Sequence, residues 1–189
     1  MSRLHDFLKH ELKLPQGLLE QVSGFYIEEK LTKDTFLTNQ GQRCKKMYLI
    51  EDGYLRFFSE TPRKEITHWI FGKGQLVTDV ASFFLEDSAK WNIQALTETT
   101  VHTLSYENYQ LMRTQVPEWD NFEKLFLIKL MSALENRVYT LLSMSAEERY
   151  TFLFQSDSMM FNTLPLHHLA SILGMTPETL SRIRAKRIS

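Results

Sequence analysis

A single cysteine, Cys44, stands in the 189 residues of the chain. One thiol cannot close an intrachain disulfide, and alone it cannot hold an iron–sulfur cluster, which takes several thiolates. The histidines His5, His10, His68, His102, His167 and His168 include no pair separated by one residue. The ligand set of a β-barrel metal oxygenase is therefore missing, and adjacent His167 and His168 would point about 100° apart on a helix. No phosphate-cradling glycine loop, nucleophile elbow or paired-carboxylate site occurs. An enzyme is not expected, and neither a metal nor another cofactor is implied. No apolar run approaches the roughly 20 residues of a membrane helix. The opening Met1-Ser2-Arg3-Leu4-His5-Asp6 also lacks the apolar stretch of a signal peptide. A cytoplasmic protein without a membrane partner is expected. A net charge of −1 excludes a polycation that coats nucleic acid indiscriminately.

What is present is an ordinary globular composition, 43% hydrophobic and 24% charged. From Leu4 to Gln21 apolar residues recur at helical spacing, which predicts short helices. From Phe25 to about Tyr106 the texture changes to short aromatic and β-branched runs separated by turn signals. Examples are Thr35-Phe36-Leu37, Met47-Tyr48-Leu49-Ile50, Tyr54-Leu55-Arg56-Phe57-Phe58 and Ile66-Thr67-His68-Trp69-Ile70-Phe71. Glu51-Asp52-Gly53 between two such runs predicts a hairpin, and the whole predicts a sandwich or β-roll. Trp119 to Ser143 contains no Gly or Pro. Within it Leu127, Met131, Leu134, Val138 and Leu141 draw one nearly straight seam, and Phe122, Phe126 and Ala133 form a second apolar flank. Such a helix can bury one face on its own domain and the other on a second copy, so a two-fold dimer is expected, with two interior faces as the alternative. Ser145 and Glu148 have the spacing of a capping box.

The last quarter carries the functional pattern. Thr163 is the expected cap of a helix with Pro165 in its first turn and Leu166, Leu169, Ala170 and Leu173 as its stripe. Gly174 would end it, Thr176 would cap the next helix, and Pro177 would open it, with Leu180 and Ile183 on the buried edge. On a helical wheel Glu178, Ser181, Arg182 and Ala185 cluster opposite that edge. Glutamate can accept from the cytosine amino group, and arginine can pair in a fork with guanine. Pro177, Glu178, Ser181 and Arg182 are the expected base-reading residues. Thr176, Thr179, Arg184, Lys186, Arg187, His167 and His168 are expected along the DNA backbone, where they would add affinity and salt dependence. From Leu164 onward Arg182, Arg184, Lys186 and Arg187 face a single acid, Glu178. That balance of +3 leaves −4 for the remainder, and a solvated helix end is the plainer explanation of the same charges.

The segment Ile172-Leu173-Gly174-Met175-Thr176-Pro177-Glu178-Thr179-Leu180-Ser181-Arg182-Ile183 resembles the recognition segment of the CRP/FNR family of transcription regulators. Gly41, Met47-Tyr48-Leu49-Ile50 and Gly53-Tyr54 resemble the family's roll pattern. The resemblance implies an α+β chain in three parts. Residues 1–116 would be an N-terminal double-stranded β-helix or jelly roll of the cyclic-nucleotide-binding type, the effector domain. Residues 117–144 would be a dimerisation helix, and residues 145–189 a helix-turn-helix domain without the family's β-hairpin wing. It implies double-stranded DNA as partner, a homodimer, and RNA polymerase as a further candidate partner. The family holds a ligand phosphate with a Gly-Glu pair and an Arg-Ser pair. Here those slots are Thr78-Asp79 and Ala89-Lys90, and no arginine lies between Arg63 and Arg113. Lysine offers a point charge rather than a fork, so cyclic AMP is not the expected effector. A different small-molecule effector, in an apolar pocket near Phe83, Phe84 and Trp91, is open, as is plain core packing of those rings. A ligand-sensing or protein-interaction module with a degenerate helix-turn-helix is the alternative function.

Overall fold

Met47 to Ile50 are four consecutive buried apolar residues, and the strand they belong to shows why. A strand sends alternate side chains to opposite faces, so an unbroken buried run requires a cover on both. In a computed structural model describing residues 2–188, with side chains through 186, both covers are present. The chain forms two compact units, Met1–Ile128 and Lys129–Ser189.

The first unit opens with α1 (Arg3–Asp6), a π-helical turn (Phe7–Glu11) and α2 (Gln16–Ser23). Eight strands follow: β1 (Ile27–Leu31), β2 (Phe36–Thr38), β3 (Lys46–Asp52), β4 (Leu55–Glu60), β5 (Glu65–Phe71), β6 (Leu76–Val77), β7 (Asn92–Ala95) and β8 (Thr99–Ser105), with α3 (Val80–Leu85) between β6 and β7. They make two four-stranded antiparallel sheets, ordered β1-β8-β3-β6 and β2-β7-β4-β5. Tyr48 and Ile50 of β3 meet Leu55, Ile93, Ala95 and Val101 in one core cluster. Met47 and Leu49, from alternate positions on the same strand, join Leu8, Leu19 and Val22 of the N-terminal helices in the other. That second cluster also takes Met112 from α4 (Tyr106–Gln115) and Trp119, Phe122 and Phe126 from the start of α5 (Trp119–Ser143).

One expectation fails in this unit. Asp52-Gly53 does not close a hairpin, because β3 pairs with β6 and β8 whereas β4 pairs with β5 and β7. The turn passes the chain from one sheet to the other. Gly53, at φ +95°, fits there because a Cβ would lie 2.7 Å from the Glu98 carbonyl oxygen and 2.5 Å from Thr99 Oγ1. The hairpin of this region joins β4 to β5, with Thr61 N–H donating to Lys64 O at 3.0 Å. Of the two readings open for Phe83, Phe84 and Trp91, a ligand pocket or core packing, the rings take core packing, in two separate clusters. Phe83 and Phe84 pack edge-on with Tyr109 in the helix-covered cluster, and Trp91 packs with Phe57 in the other.

The second unit contains the later part of α5, then α6 (Ala146–Ser156), α7 (Ser158–Thr163), α8 (Leu166–Ile172) and α9 (Pro177–Ile188). α6 begins with the capping box that Ser145 and Glu148 predict. Glu148 N–H donates to Ser145 Oγ at 3.3 Å, and Ser145 N–H donates to Glu148 Oε2 at 2.7 Å. Tyr150, Phe154 and Phe161 join α6 to α7 through ring contacts of 5.2–5.7 Å. Thr163 does not cap α8. It ends α7, and its hydroxyl is spent on Met159 O at 2.9 Å. On α5, whose 25 residues span roughly 37 Å, Leu127, Met131, Val138 and Leu141 are exposed and Leu134 is half-buried. Among the described residues no helix is long and apolar enough to cross a membrane.

Substituting Gly53→Ala should destabilise the first unit by about 2–4 kcal/mol, from left-handed strain plus overpacking. Urea unfolding checks this; a change below about 0.5 kcal/mol would mean the turn relaxes freely.

Candidate nucleic-acid interface

The two helices that the sequence pattern singled out are joined by a tight turn whose hydrogen bonds are fully specified. Gly174 has φ +64°. Met175 N–H donates to Ala170 O at 3.0 Å and Gly174 N–H to Ser171 O at 3.1 Å. This is the paired closure that a left-handed residue after a helix allows, and glycine adopts it without a Cβ penalty. Two residues later Thr176 accepts from Thr179 N–H at 3.3 Å, and Pro177, which needs no N–H partner, takes the first position of α9. Leu169 and Ala170 of α8, Leu173 at its C-cap, and Leu180 and Ile183 of α9 are buried.

The opposite side of α9 is open. Pro177, Glu178, Ser181, Arg182, Ala185 and Lys186 are exposed, and Arg184 is half-buried. The expected base-reading residues therefore share one solvent-facing surface. Arg182 leans on Thr179 Oγ1 at 3.4 Å. Hydrogen bonds from its own backbone N–H and from Thr176 hold the Glu178 carboxyl below the usual carboxylate range, so it is an ionised acceptor at neutral pH. The backbone-contact set is less uniform. Thr176 and Thr179 are engaged in capping. Lys186 pairs with Glu147 of α6 at 3.0 Å. The rings of His167 and His168 are not splayed by the 100° step between them; their centroids lie 4.0 Å apart at the start of α8. The Arg187 side chain lies outside the described residues.

Sequence reasoning missed two residues here. Arg137 of α5 donates to Ile172 O, and Arg149 of α6 donates through Nε to Leu173 O at 2.8 Å. Their acceptors are backbone carbonyls, which carry no residue signature, and lie 35 and 24 positions along the chain.

In the first unit, two of the four positions expected as a degenerate ligand cassette, Asp79 and Lys90, are in contact. Asp79 caps α3, accepting from Ser82 N–H at 3.1 Å through one carboxylate oxygen and from Lys90 N–H at 2.9 Å through the other. It is buried, so this acid is occupied as a staple between α3 and the approach to β7. The Thr78 hydroxyl donates to Lys46 O at 3.1 Å. Ala89 is buried within the roll's core, and the Lys90 side chain is exposed. Trp91 stacks on His68 at 4.6 Å and packs against Phe57 at 5.2 Å. A cavity of about 20 Å³ elsewhere in the unit, lined in part by Phe84, Tyr109 and Trp119, is water-sized rather than nucleotide-sized. No cluster of three or more potential metal ligands occurs among the described residues.

Residues 28–114 match the family model of the cyclic nucleotide-binding domain. No curated protein gives a significant sequence match. Among solved structures the chain is similar to the c-di-GMP responsive global regulator CLP of Xanthomonas campestris (16% identity, 91% of each chain, TM-score 0.68). It is similar to FixK2 from Bradyrhizobium japonicum (18% identity, 85% of this chain and 83% of that one, TM-score 0.70). A third is the catabolite activator protein of Thermus thermophilus (21% identity, 95% of this chain and 85% of that one, TM-score 0.57). At these identities the likeness is one of fold. Among these neighbours, CLP is by name a global regulator and the Thermus protein a catabolite activator.

Replacing Asp79 by alanine should cost about 2–4 kcal/mol, since it removes a helix cap and leaves two backbone amides without their charged acceptor. Calorimetric unfolding of D79A measures it. A melting temperature equal to that of the parent would show that the carboxylate is not a structural staple.

Proposed function

We propose that this chain is a sequence-specific DNA-binding transcription regulator of the CRP/FNR type that binds a palindromic operator as a homodimer, with an effector other than cyclic AMP. The observation that carries this reading is the surface of α9. A carboxylate and a guanidinium, Glu178 and Arg182, stand exposed one helical turn apart, while Leu180 and Ile183 anchor the opposite side. A helix so held can enter the major groove with its first turns against base edges. Pro177 and Ser181 border the pair; in this reading Thr176, Thr179, Arg184, Lys186, Arg187, His167 and His168 would meet the phosphates.

Residues 1–116 act in this reading as the effector domain, 117–144 as the dimerisation helix and 145–189 as the DNA-binding domain. The exposed seam of Leu127, Met131, Val138 and Leu141, with Leu134 among them, supports dimerisation through α5, since such a stripe is buried at little cost against its own copy. The occupied Asp79 and the alanine at position 89 argue against cyclic AMP. An incoming phosphate would meet neither a guanidinium fork nor an uncommitted acid for the ribose.

Selection from a random duplex pool should return an inverted repeat with half-site centres roughly 34 Å apart. Arg182→Ala should then relax one base position per half-site by about 1–3 kcal/mol. An asymmetric site, or equal weakening across all sequences, would defeat the reading. Titration calorimetry with cyclic AMP should give no saturable heat, and binding at micromolar ligand would overturn the account of Asp79 and Ala89.

A further inference from the structure

Three consecutive carbonyls at the turn between α8 and α9, those of Ile172, Leu173 and Gly174, accept from guanidinium groups of other helices. Arg137 reaches up from α5 to Ile172. Arg149 spreads its fork from α6, with Nε on Leu173 O at 2.8 Å and Nη2 towards Gly174 O at 3.5 Å. Its Nη1 donates at 2.8 Å to Met144 O, just beyond the end of α5. Burial, and after it the positive charge of Arg149, lowers the Arg137 pKa, so two cations are held side by side. The end of α8 tolerates them because its last carbonyls lack helical partners and carry the negative pole of the helix. Leu141 adds a steric floor: its Cδ2 lies 3.4 Å from where a Cβ on Gly174 would stand.

The geometry points to Arg137 and Arg149 as positioning residues for DNA recognition, gripping the turn so that α5 and α6 set the angle at which α9 presents Glu178 and Arg182. The inference rests on the DNA-reading function proposed above and deepens it. The lever arm gives it weight. Arg182 lies about 8 Å along α9 from Pro177, so a tilt of about 10° at the turn displaces its base by about 1.4 Å, beyond the roughly 0.5 Å that a paired hydrogen-bonding geometry tolerates. Lysine cannot replace either grip: at position 149 one ammonium does not span the separated carbonyls with fixed, coplanar donors, and at position 137 it ends one bond short of the Nη2 that reaches Ile172 O. Because Arg137 sits on the proposed dimer helix, any rotation of that helix reaches the turn through a hydrogen bond rather than through a flexible linker.

The test uses the full chain carrying R149K or R137K, made separately so that a folding failure in one leaves the other readable. Amide hydrogen exchange without DNA should quicken at least tenfold at Gly174, Met175, Thr179 and Leu180, while the amides of α6 keep their rates. On DNA, affinity for the selected operator should fall tenfold or more, whereas affinity for random duplex and the salt dependence of binding stay as in the parent. An arginine that instead touched phosphate would lower affinity for every sequence alike and reduce the salt slope by about one; that result overturns the positioning role. A parent chain that selects no sequence overturns the regulator reading and this role with it. A parent that selects one, with variants unchanged in both discrimination and exchange, overturns this role alone.

Discussion

The pair of hydrogen bonds that close the chain across Gly174 is the constraint on which the C-terminal surface depends. Ala170 O and Ser171 O receive Met175 and Gly174 N–H, which reverses the chain within a few residues and lets Thr176 restart a helix at once. With the reversal fixed, Leu180 and Ile183 fall on the α8 side and Glu178 and Arg182 on the solvent side as a matter of helical period. A longer or looser connection would leave the same residues on α9 but no defined surface.

The first unit solves a different problem. A roll of two sheets has two sides to cover at β3, and the chain covers them unequally. One side is filled by the roll's own residues and the other by the N-terminal helices together with α4 and the start of α5. The positions that the sequence resemblance aligns with a ligand-phosphate cassette have structural roles in this roll. Asp79 ties a helix start to the approach to β7, and Ala89 is folded into the core. Both residues are part of what keeps the roll closed.

What the sequence made legible was what is local. Ser145 with Glu148, Gly174, and Thr176 with Pro177 announce caps and turns within four residues of where they act, and each is found as the spacing predicts. The exposed character of Glu178, Ser181 and Arg182 follows from the same short-range periodicity. Asp52-Gly53 misled because a hairpin and a sheet-to-sheet crossing use the same dipeptide, and only β6 and β8, whose sequence lies far downstream, decide between them. Thr163 misled because a threonine that ends one helix and one that begins the next look alike a residue before Leu164-Pro165. The aromatic residues at 83, 84 and 91 were grouped by proximity in sequence and separated by the roll. Arg137 and Arg149 were invisible because carbonyl acceptors leave no mark in the pattern.

Lys186 and Glu147 form an exposed ion pair at 3.0 Å. In the proposed function a phosphate that meets Lys186 competes with that carboxylate for its ammonium and comes close to the negative charge of Glu147. Each such contact would trade one attraction for another and add a repulsion, so in that function a partner offering only charge would gain little at this rim.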